Sequence, residues 1–102
     1  MHVVIFEFTP HEGVATDRYF ELAGELRSEI EKQPGFISVQ RFEHVQEKGH
    51  FVSISTWENE AAIRNWKANL VHQNAQHEGK TSLFRDYRIR VAEVIRDYAL
   101  NT

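Results

Sequence analysis

Residues 53–66 read SISTWENEAAIRNW, and this stretch carries a strand directly into a helix. Residues 50–58 alternate between two faces, which predicts a strand from His50 to Glu58. Asn59 follows, and asparagine is a favoured helix-capping residue. Apolar side chains then recur at the spacing of a helix face: Ala62, Ile63, Trp66 and Leu70. The stretch therefore predicts a strand, a short cap and an amphipathic helix.

The segments on either side complete the order of elements. Strands are predicted over Val3–Phe8, Phe36–His44 and Tyr87–Tyr98, the last with a bulge near Glu93. A first helix, capped by Thr16, is predicted to end at Gln33-Pro34-Gly35, because proline cannot continue a helix and glycine turns easily. The order βαββαβ predicts an α+β, ferredoxin-like fold with an antiparallel four-stranded sheet.

Composition narrows the range of functions. The chain has 102 residues, 41% hydrophobic and 26% charged, with a net charge of -3, and we expect a single domain over residues 1–102. It has no cysteine, which excludes thiol catalysis and disulfides. The net charge gives no reason to expect nucleic acid as a partner. The N-terminal segment lacks a basic region, and no apolar run is long enough to span a membrane, so a cytoplasmic protein is expected.

The pattern of the strands predicts a homodimer. Two helices can cover only one face of a four-stranded sheet, yet the first strand is apolar on both faces. The third strand places Phe51 and Trp57 on one face and Val52 and Ile54 on the other. A second copy packed sheet against sheet would cover the remaining apolar face. The alternative is that the last strand or the C-terminal tail covers it.

Four segments in this order resemble the antibiotic biosynthesis monooxygenase (ABM) superfamily. They are QPGFISV (33–39), SISTWENEAAI (53–63) running into Trp66, HQNAQHEGK (72–80) and YRIRVAEV (87–94). The resemblance implies a dimeric α/β barrel with one cavity per subunit between the sheet and the helices. Members of the superfamily include cofactor-free oxygenases of polycyclic phenols, haem-degrading enzymes and proteins of unknown activity, so the fold alone does not fix the function.

Trp66 and His72 are the candidate catalytic residues. Trp66 would stack on an aromatic substrate, although its spacing with Ile63 and Leu70 also fits core packing. His72 is the candidate base, since an imidazole with a pKa near ~6.5 accepts a proton at neutral pH. In an unbroken helix His72 falls on a polar stripe that could simply face water, whereas a break near Leu70 would let it share a cavity with Trp66.

The candidate substrate-binding residues are Asn69, Gln76, Arg88 and Trp57. In an unbroken helix, Asn69 and Gln76 share the stripe of His72. Arg88 could hold a substrate oxyanion with its charged fork, or it could be a charge on an edge strand or in an ion pair across the dimer. Trp57 ends a strand, a position that also fits the core.

No metal site is predicted, because His72 and His77 are five residues apart and the carboxylates are scattered.

Haem-degrading relatives have a helix tryptophan, a histidine ten residues later and an asparagine on the first strand. Here Gln76 stands ten residues after Trp66, and the first strand has no asparagine. We therefore expect an oxygenase of an aromatic or quinol-like molecule that uses O2 without a cofactor. A ligand-binding or stress-response dimer without turnover is the alternative, and haem binding or degradation is the third.

Overall fold

The computed structural model describes residues 1–72 and 83–101, and for residues 14, 15, 71 and 72 it describes the backbone alone. The elements run β1 (His2–Pro10), α1 (Val14–Glu31), β2 (Phe36–Glu43), β3 (Phe51–Trp57), α2 (Glu60–His72) and β4 (Phe84–Glu93). The strands form one antiparallel sheet in the order β2-β3-β1-β4. This arrangement confirms the predicted ferredoxin-like α+β fold.

The largest differences from the predicted boundaries are at the start of α1 and at both ends of β4. Helix α1 begins at Val14 with Gly13 at its cap position, and Thr16 lies inside the helix, where its hydroxyl donates a hydrogen bond to the carbonyl of His11. The predicted Thr16 cap was therefore wrong. Strand β4 begins at Phe84 and ends at Glu93. Its end follows from the start of β1, because His2 is paired with Glu93 and a single backbone bond, from the Val94 N–H to the Met1 carbonyl, continues the ladder.

The irregularities of the sheet also lie elsewhere than predicted, and one of them is a register shift of β2 against β3 between Phe36 and Ser38. The register of β1 and β4 shifts between Thr9 and Pro10, and not near Glu93. Proline has no N–H to donate to the ladder, so the pairing with β4 is disturbed where β1 reaches Pro10. The disturbance lies at the end of β1 that leads into α1.

The start of α2 agrees with the prediction. The backbone N–H of Ala62 donates to Asn59 Oδ1 at 2.9 Å, which satisfies one of the free donors of the first turn. The helix then runs without a break through Leu70 to His72. The break near Leu70 that would have changed the phase of His72 is absent.

The register confirms that the two central strands alternate as predicted. Val4 pairs with Ser55 and Val91 on the face under the helices, whereas Ile5 pairs with Ile54 and Arg90 on the opposite face, which we call the outer face. The core under the helices is built around the fully buried Phe8 and Trp57, with buried Tyr19, Ala62 and Leu83. The sheet therefore has one face covered by the chain's own helices and one face that they leave open.

Gly35 fixes the approach of the turn after α1 to helix α2. Its φ is +86°, and a Cβ built there would lie 2.7 Å from the Cβ of Ala62. Both facts favour glycine, since other residues are strained at this φ and a methyl group would collide. The backbone N–H of Glu58 donates to the Gly35 carbonyl at 2.8 Å, which ties the same turn to the end of β3.

The C-terminal tail after β4 does not cover the outer face. Its large apolar side chains Ile95, Tyr98 and Leu100 are 84–89% exposed. A tail that covered the sheet would bury such side chains against it. No helix in the described part of the chain is long and apolar enough to cross a membrane.

Candidate active site

An open cavity of about 860 Å³ lies between the helices and the sheet face beneath them. Both helices and all four strands contribute to its wall. Much of that wall is apolar and includes Phe6, Leu26, Ile63, Trp66, Leu70 and Ile89. A volume of this size falls within the range of small-molecule sites, roughly 300–1,000 Å³.

Helix α2 turns its apolar stripe towards the cavity. Ile63, Trp66 and Leu70 line it, together with Lys67. Trp66 is half-buried, so part of its indole packs in the protein and part is open to the cavity. Trp66 therefore packs against the protein with one part of its indole and lines the cavity with the other, so the two interpretations do not exclude each other.

Of the three polar residues predicted at this end of the cavity, the structure describes the side chain of Asn69 alone. His72 is the last residue of α2, and its side chain lies outside the described residues. By helix geometry, position 72 lies roughly 120° around the axis from position 66. Asn69 is half-buried on the same helix but does not line the cavity, and Gln76 lies outside the described residues.

The structure does not bring Trp57 or Arg88 to the cavity. Trp57 is fully buried, and its indole N–H donates to Ser55 Oγ at 2.9 Å, so this side chain is part of the core. Arg88 is paired in register with Glu7 on the outer face of the sheet. Glu7 in turn accepts a hydrogen bond from the neighbouring Arg90 at 3.1 Å.

Two further residues at the cavity, Tyr19 of α1 and Arg41 of β2, form a polar pair. The Tyr19 side chain is 9% exposed and packs against the ring of Phe8. The guanidinium carbon of Arg41 lies 5.6 Å from the centre of the Tyr19 ring and 4.8 Å from that of the Phe20 ring. Burial raises the pKa of Tyr19 above 10.0, and Arg41 partly offsets this effect.

The Tyr19–Arg41 pair was not predicted from the sequence, although two signals mark it. Tyr19 continues the spacing of Ala23, Leu26 and Ile30 on one side of α1. Arg41 lies two residues from Val39 and so shares its face of β2. Neither signal shows that the two side chains meet, because α1 and β2 come together only through the packing of the helix on the sheet.

The part of the cavity wall that the structure describes does not supply the usual ligands of haem iron. Among the lining residues that the structure describes there is no histidine, cysteine or methionine, which are the common axial ligands beside tyrosine. Both lining tyrosines are held in other contacts: Tyr19 with Arg41, and Tyr87 against Phe6 and Phe84. The described part of the site therefore does not fit haem, and no step is derived through it. The described residues also contain no group of three His, Cys, Asp or Glu side chains that could hold a metal ion.

The fold matches solved structures of known activity. SnoaB from Streptomyces nogalater, a cofactor-independent oxygenase, superposes with a TM-score of 0.74 at 18% identity, covering 94% of both chains. The haem degrader MhuD from Mycobacterium tuberculosis superposes with a TM-score of 0.73 at 19% identity, covering 97% of this chain and all of MhuD. At these identities the likeness shows a shared fold alone.

Sequence comparison shows the family of the chain as well as its fold. The chain is 33% identical over 94 residues to a protein of Pyricularia oryzae described as jasmonate monooxygenase ABM. The match covers 92% of this chain but only 43% of the fungal protein, so the chain spans less than half the length of that relative. Residues 1–78 match the family described as antibiotic biosynthesis monooxygenase. With the fold and the cavity described above, this match identifies the chain as a member of the antibiotic biosynthesis monooxygenase family.

Proposed function

We propose that the protein oxygenates a flat aromatic or quinol-like molecule without a cofactor and binds it in the helix-facing cavity against Trp66. The observation that carries this proposal is the cavity itself, about 860 Å³ in volume, with the Trp66 indole in its apolar wall. An aromatic ring placed against an indole gains buried apolar contact and offset stacking. The indole N–H adds a donor that could orient a substrate oxygen.

The chemistry requires a base, and His72 is the residue we propose for it. Removal of a proton from a phenol, or from a carbon activated by one, gives an electron-rich anion that can pass an electron to O2. Recombination forms a hydroperoxide, and loss of water leaves a carbonyl. The substrate loses two hydrogens, either both from an activated CH2 or one from the phenol and one from the ring carbon that is oxygenated. It gains one oxygen atom, the second oxygen leaves as water, and the substrate supplies all four electrons. Asn69 and Gln76 are our candidates for orienting substrate oxygens.

The relatives support an oxygenase. SnoaB is described as a cofactor-independent oxygenase, and the Pyricularia relative as a jasmonate monooxygenase. The first shares the fold, and the second shares a third of the aligned residues. Because the chain spans under half of the fungal protein, we treat jasmonate as a compound to be tested and do not assign it as the substrate.

We further propose that the chain folds as one domain and that two copies pair through their outer sheet faces. The apolar members of that face are Val3, Ile5, Phe42, Val52, Ile54 and Ala92. The large apolar side chains in the described part of the tail are exposed and do not pack on this face, which supports a second copy as its cover. Buried against a second copy, the face would no longer present an apolar patch to water.

Oxygen consumption tests the proposed reaction. We expect steady uptake of O2 with at least one of a panel of hydroquinones or jasmonate, with a rate that rises through roughly pH 6.5, the ordinary pKa of an imidazole. His72→Ala should lower the rate about 100-fold or more, the usual contribution of a general base. His11→Ala is the matched control, because His11 is exposed before α1 and is not among the residues that line the cavity. An unchanged rate in His72→Ala would remove the proposed base.

The same panel separates the oxygenase from the alternatives. Saturable binding of an aromatic compound with no O2 uptake for any compound would favour a binding protein without turnover. Haem is tested by titration in the Soret region. A saturable Soret shift would contradict the cofactor-independent proposal, because the bound haem would then be able to activate O2.

A further inference from the structure

Arg41 brings a positive charge to a largely apolar cavity. It lies on edge strand β2, is exposed to solvent, and borders the cavity. Its guanidinium carbon lies 4.8 Å from the ring centre of Phe20 and 5.6 Å from that of Tyr19, so two aromatic rings of α1 flank it. These contacts hold the plane of the guanidinium beside the cavity.

Arg41 forms no salt bridge within the described part of the chain. The next residue on its face of β2, Glu43, instead accepts a hydrogen bond from the Gly49 N–H at 2.9 Å. Arginine carries five N–H donors, and the contact with the single phenol oxygen of Tyr19 leaves most of them unoccupied. Donors therefore remain for a ligand.

Two other cationic side chains of the described cavity wall, Arg27 and Lys67, are less suited to binding an anion. Arg27 donates to Glu31 at 3.1 Å, so its charge is already paired. Lys67 is exposed on α2, and a flexible ammonium without a flanking ring has no fixed direction. Arg41 thus combines a partly free charge with a fixed orientation.

Tyr19 adds a second polar group at the same place. Its ring lies beside the Arg41 guanidinium, and its phenol keeps its proton at neutral pH because burial disfavours the phenolate. A carboxylate oxygen that reached Arg41 would meet the guanidinium and a protonated phenol side by side. Such charge-assisted hydrogen bonds are shorter and stronger than neutral ones.

We propose that the ligand of this cavity is an amphiphilic acid whose apolar body lies against Trp66 and whose single carboxylate is bound by Arg41 beside Tyr19. The proposal rests on the proposed function, since it assigns a chemical class to the molecule in the same cavity. A monoanion fits better than a phosphate dianion, because Arg41 alone among the described cations of the wall combines an unpaired charge with flanking rings. Arg41 is therefore the residue that selects acids over their neutral analogues.

Calorimetric titration with 2-naphthoic acid and 2-naphthamide at pH 7.5 tests this inference. The two probes share a shape and differ in charge. We expect the acid to bind at least about tenfold more tightly, the lower end for charged hydrogen bonds because Arg41 is partly solvated. Arg41→Gln should remove that preference by weakening the acid alone, and Arg41→Lys should retain part of it.

Two further substitutions serve as comparisons. Arg64→Gln removes one positive charge from α2 at a residue that pairs with Glu60 and does not line the cavity, so the preference should survive. Lys67→Gln removes a cavity cation, and the preference should again survive. If Lys67→Gln abolishes it and Arg41→Gln does not, the assignment to Arg41 is overturned.

The outcomes separate this inference from the proposed function. Equal binding of acid and amide overturns the carboxylate assignment and leaves the aromatic cavity intact. Tighter binding of 2-naphthyl phosphate than of the acid also overturns it, in favour of a phosphate ligand. Failure of both naphthalene probes to bind overturns the inference and the proposed function together.

Discussion

At the scale of single residues, Tyr19 shows how packing changes the chemistry of a side chain. Its ring lies 4.6 Å from the ring of Phe8, between the helix and the sheet, and burial raises the pKa of its phenol. Arg41 acts in the opposite direction through a hydrogen bond and its charge. Tyr19 is therefore a hydrogen-bonding group at neutral pH and is poorly suited to act as a base.

The first prediction concerns the titration of Tyr19. Arg41→Gln removes the two effects that lower the pKa of Tyr19, so that pKa should rise further above 10.0. Tyrosinate absorbance, taken as the difference between each protein and its Tyr19→Phe counterpart, measures the shift. A lower pKa of Tyr19 in Arg41→Gln would contradict the contact.

A second prediction links the same group to stability. Because the pKa of Tyr19 is higher in the folded protein than in the unfolded chain, its contribution is fully present below about pH 10 and is lost as the pH rises above it. Tyr19→Phe should therefore lose less stability than the wild type between about pH 9 and 11. Urea unfolding across this range measures the difference, and parallel pH profiles would contradict the raised pKa.

At the scale of elements, the turn between α1 and β2 decides how closely α2 packs. Gly35 lies in this turn with a positive φ, directly against Ala62 in the first turns of α2. The N-cap from Asn59 fixes the start of the same helix. The position of Trp66 in the cavity wall thus depends on Gly35 and on the Asn59 cap, and neither residue is among those that line the cavity.

The third prediction compares two glycines. Gly35→Ala should destabilise the fold by about 2–4 kcal/mol, since it combines a strained φ with a collision against Ala62. Gly24→Ala is the matched control: a Cβ there meets nothing within 4 Å, and alanine should stabilise α1 by up to about 1 kcal/mol. Urea unfolding measures both. Equal stabilities of the two variants would contradict the close approach.

At the scale of the whole molecule, the sheet has two faces of different character. One face forms the core and the cavity with the helices, and the outer face mixes apolar side chains with the exposed Glu7–Arg90 ion pair. An exposed ion pair of this kind contributes little to stability, about 0–1 kcal/mol. It can nevertheless set the orientation of a partner, which suits an interface between two copies.

The fourth prediction tests the proposed dimer. Phe42 is 48% exposed on the outer face, so Phe42→Glu places a charge in the interface without disturbing the core of one subunit. We expect sedimentation to show a dimer for the wild type and a 12.0 kDa species for Phe42→Glu. Val45→Glu is the control, because Val45 is 96% exposed between β2 and β3. A monomeric wild type at micromolar concentration would end the dimer proposal.

Local patterns were enough to predict the order of elements. Alternation in β1 and β3, the Asn59 cap and the apolar spacing of α2 depend on neighbours in the chain, and all three agree with the structure. The start of α1 and the end of β4 were predicted wrongly. Helix α1 has Gly13 at its cap position, where the hydroxyl of Thr16 was expected. The end of β4 depends on where the paired strand β1 begins.

The sequence by itself determined the fold class and the presence of Trp66 on the apolar side of its helix, because periodicity and capping are short-range properties of the chain. The family followed from the resemblance of four sequence segments. Only the tertiary structure decided what surrounds Trp66. It buried Trp57 in the core, placed Arg88 on the outer face, and brought Arg41 to Tyr19. These outcomes depend on contacts between elements distant in sequence, and no local pattern specifies which side chains will meet across a helix and a sheet.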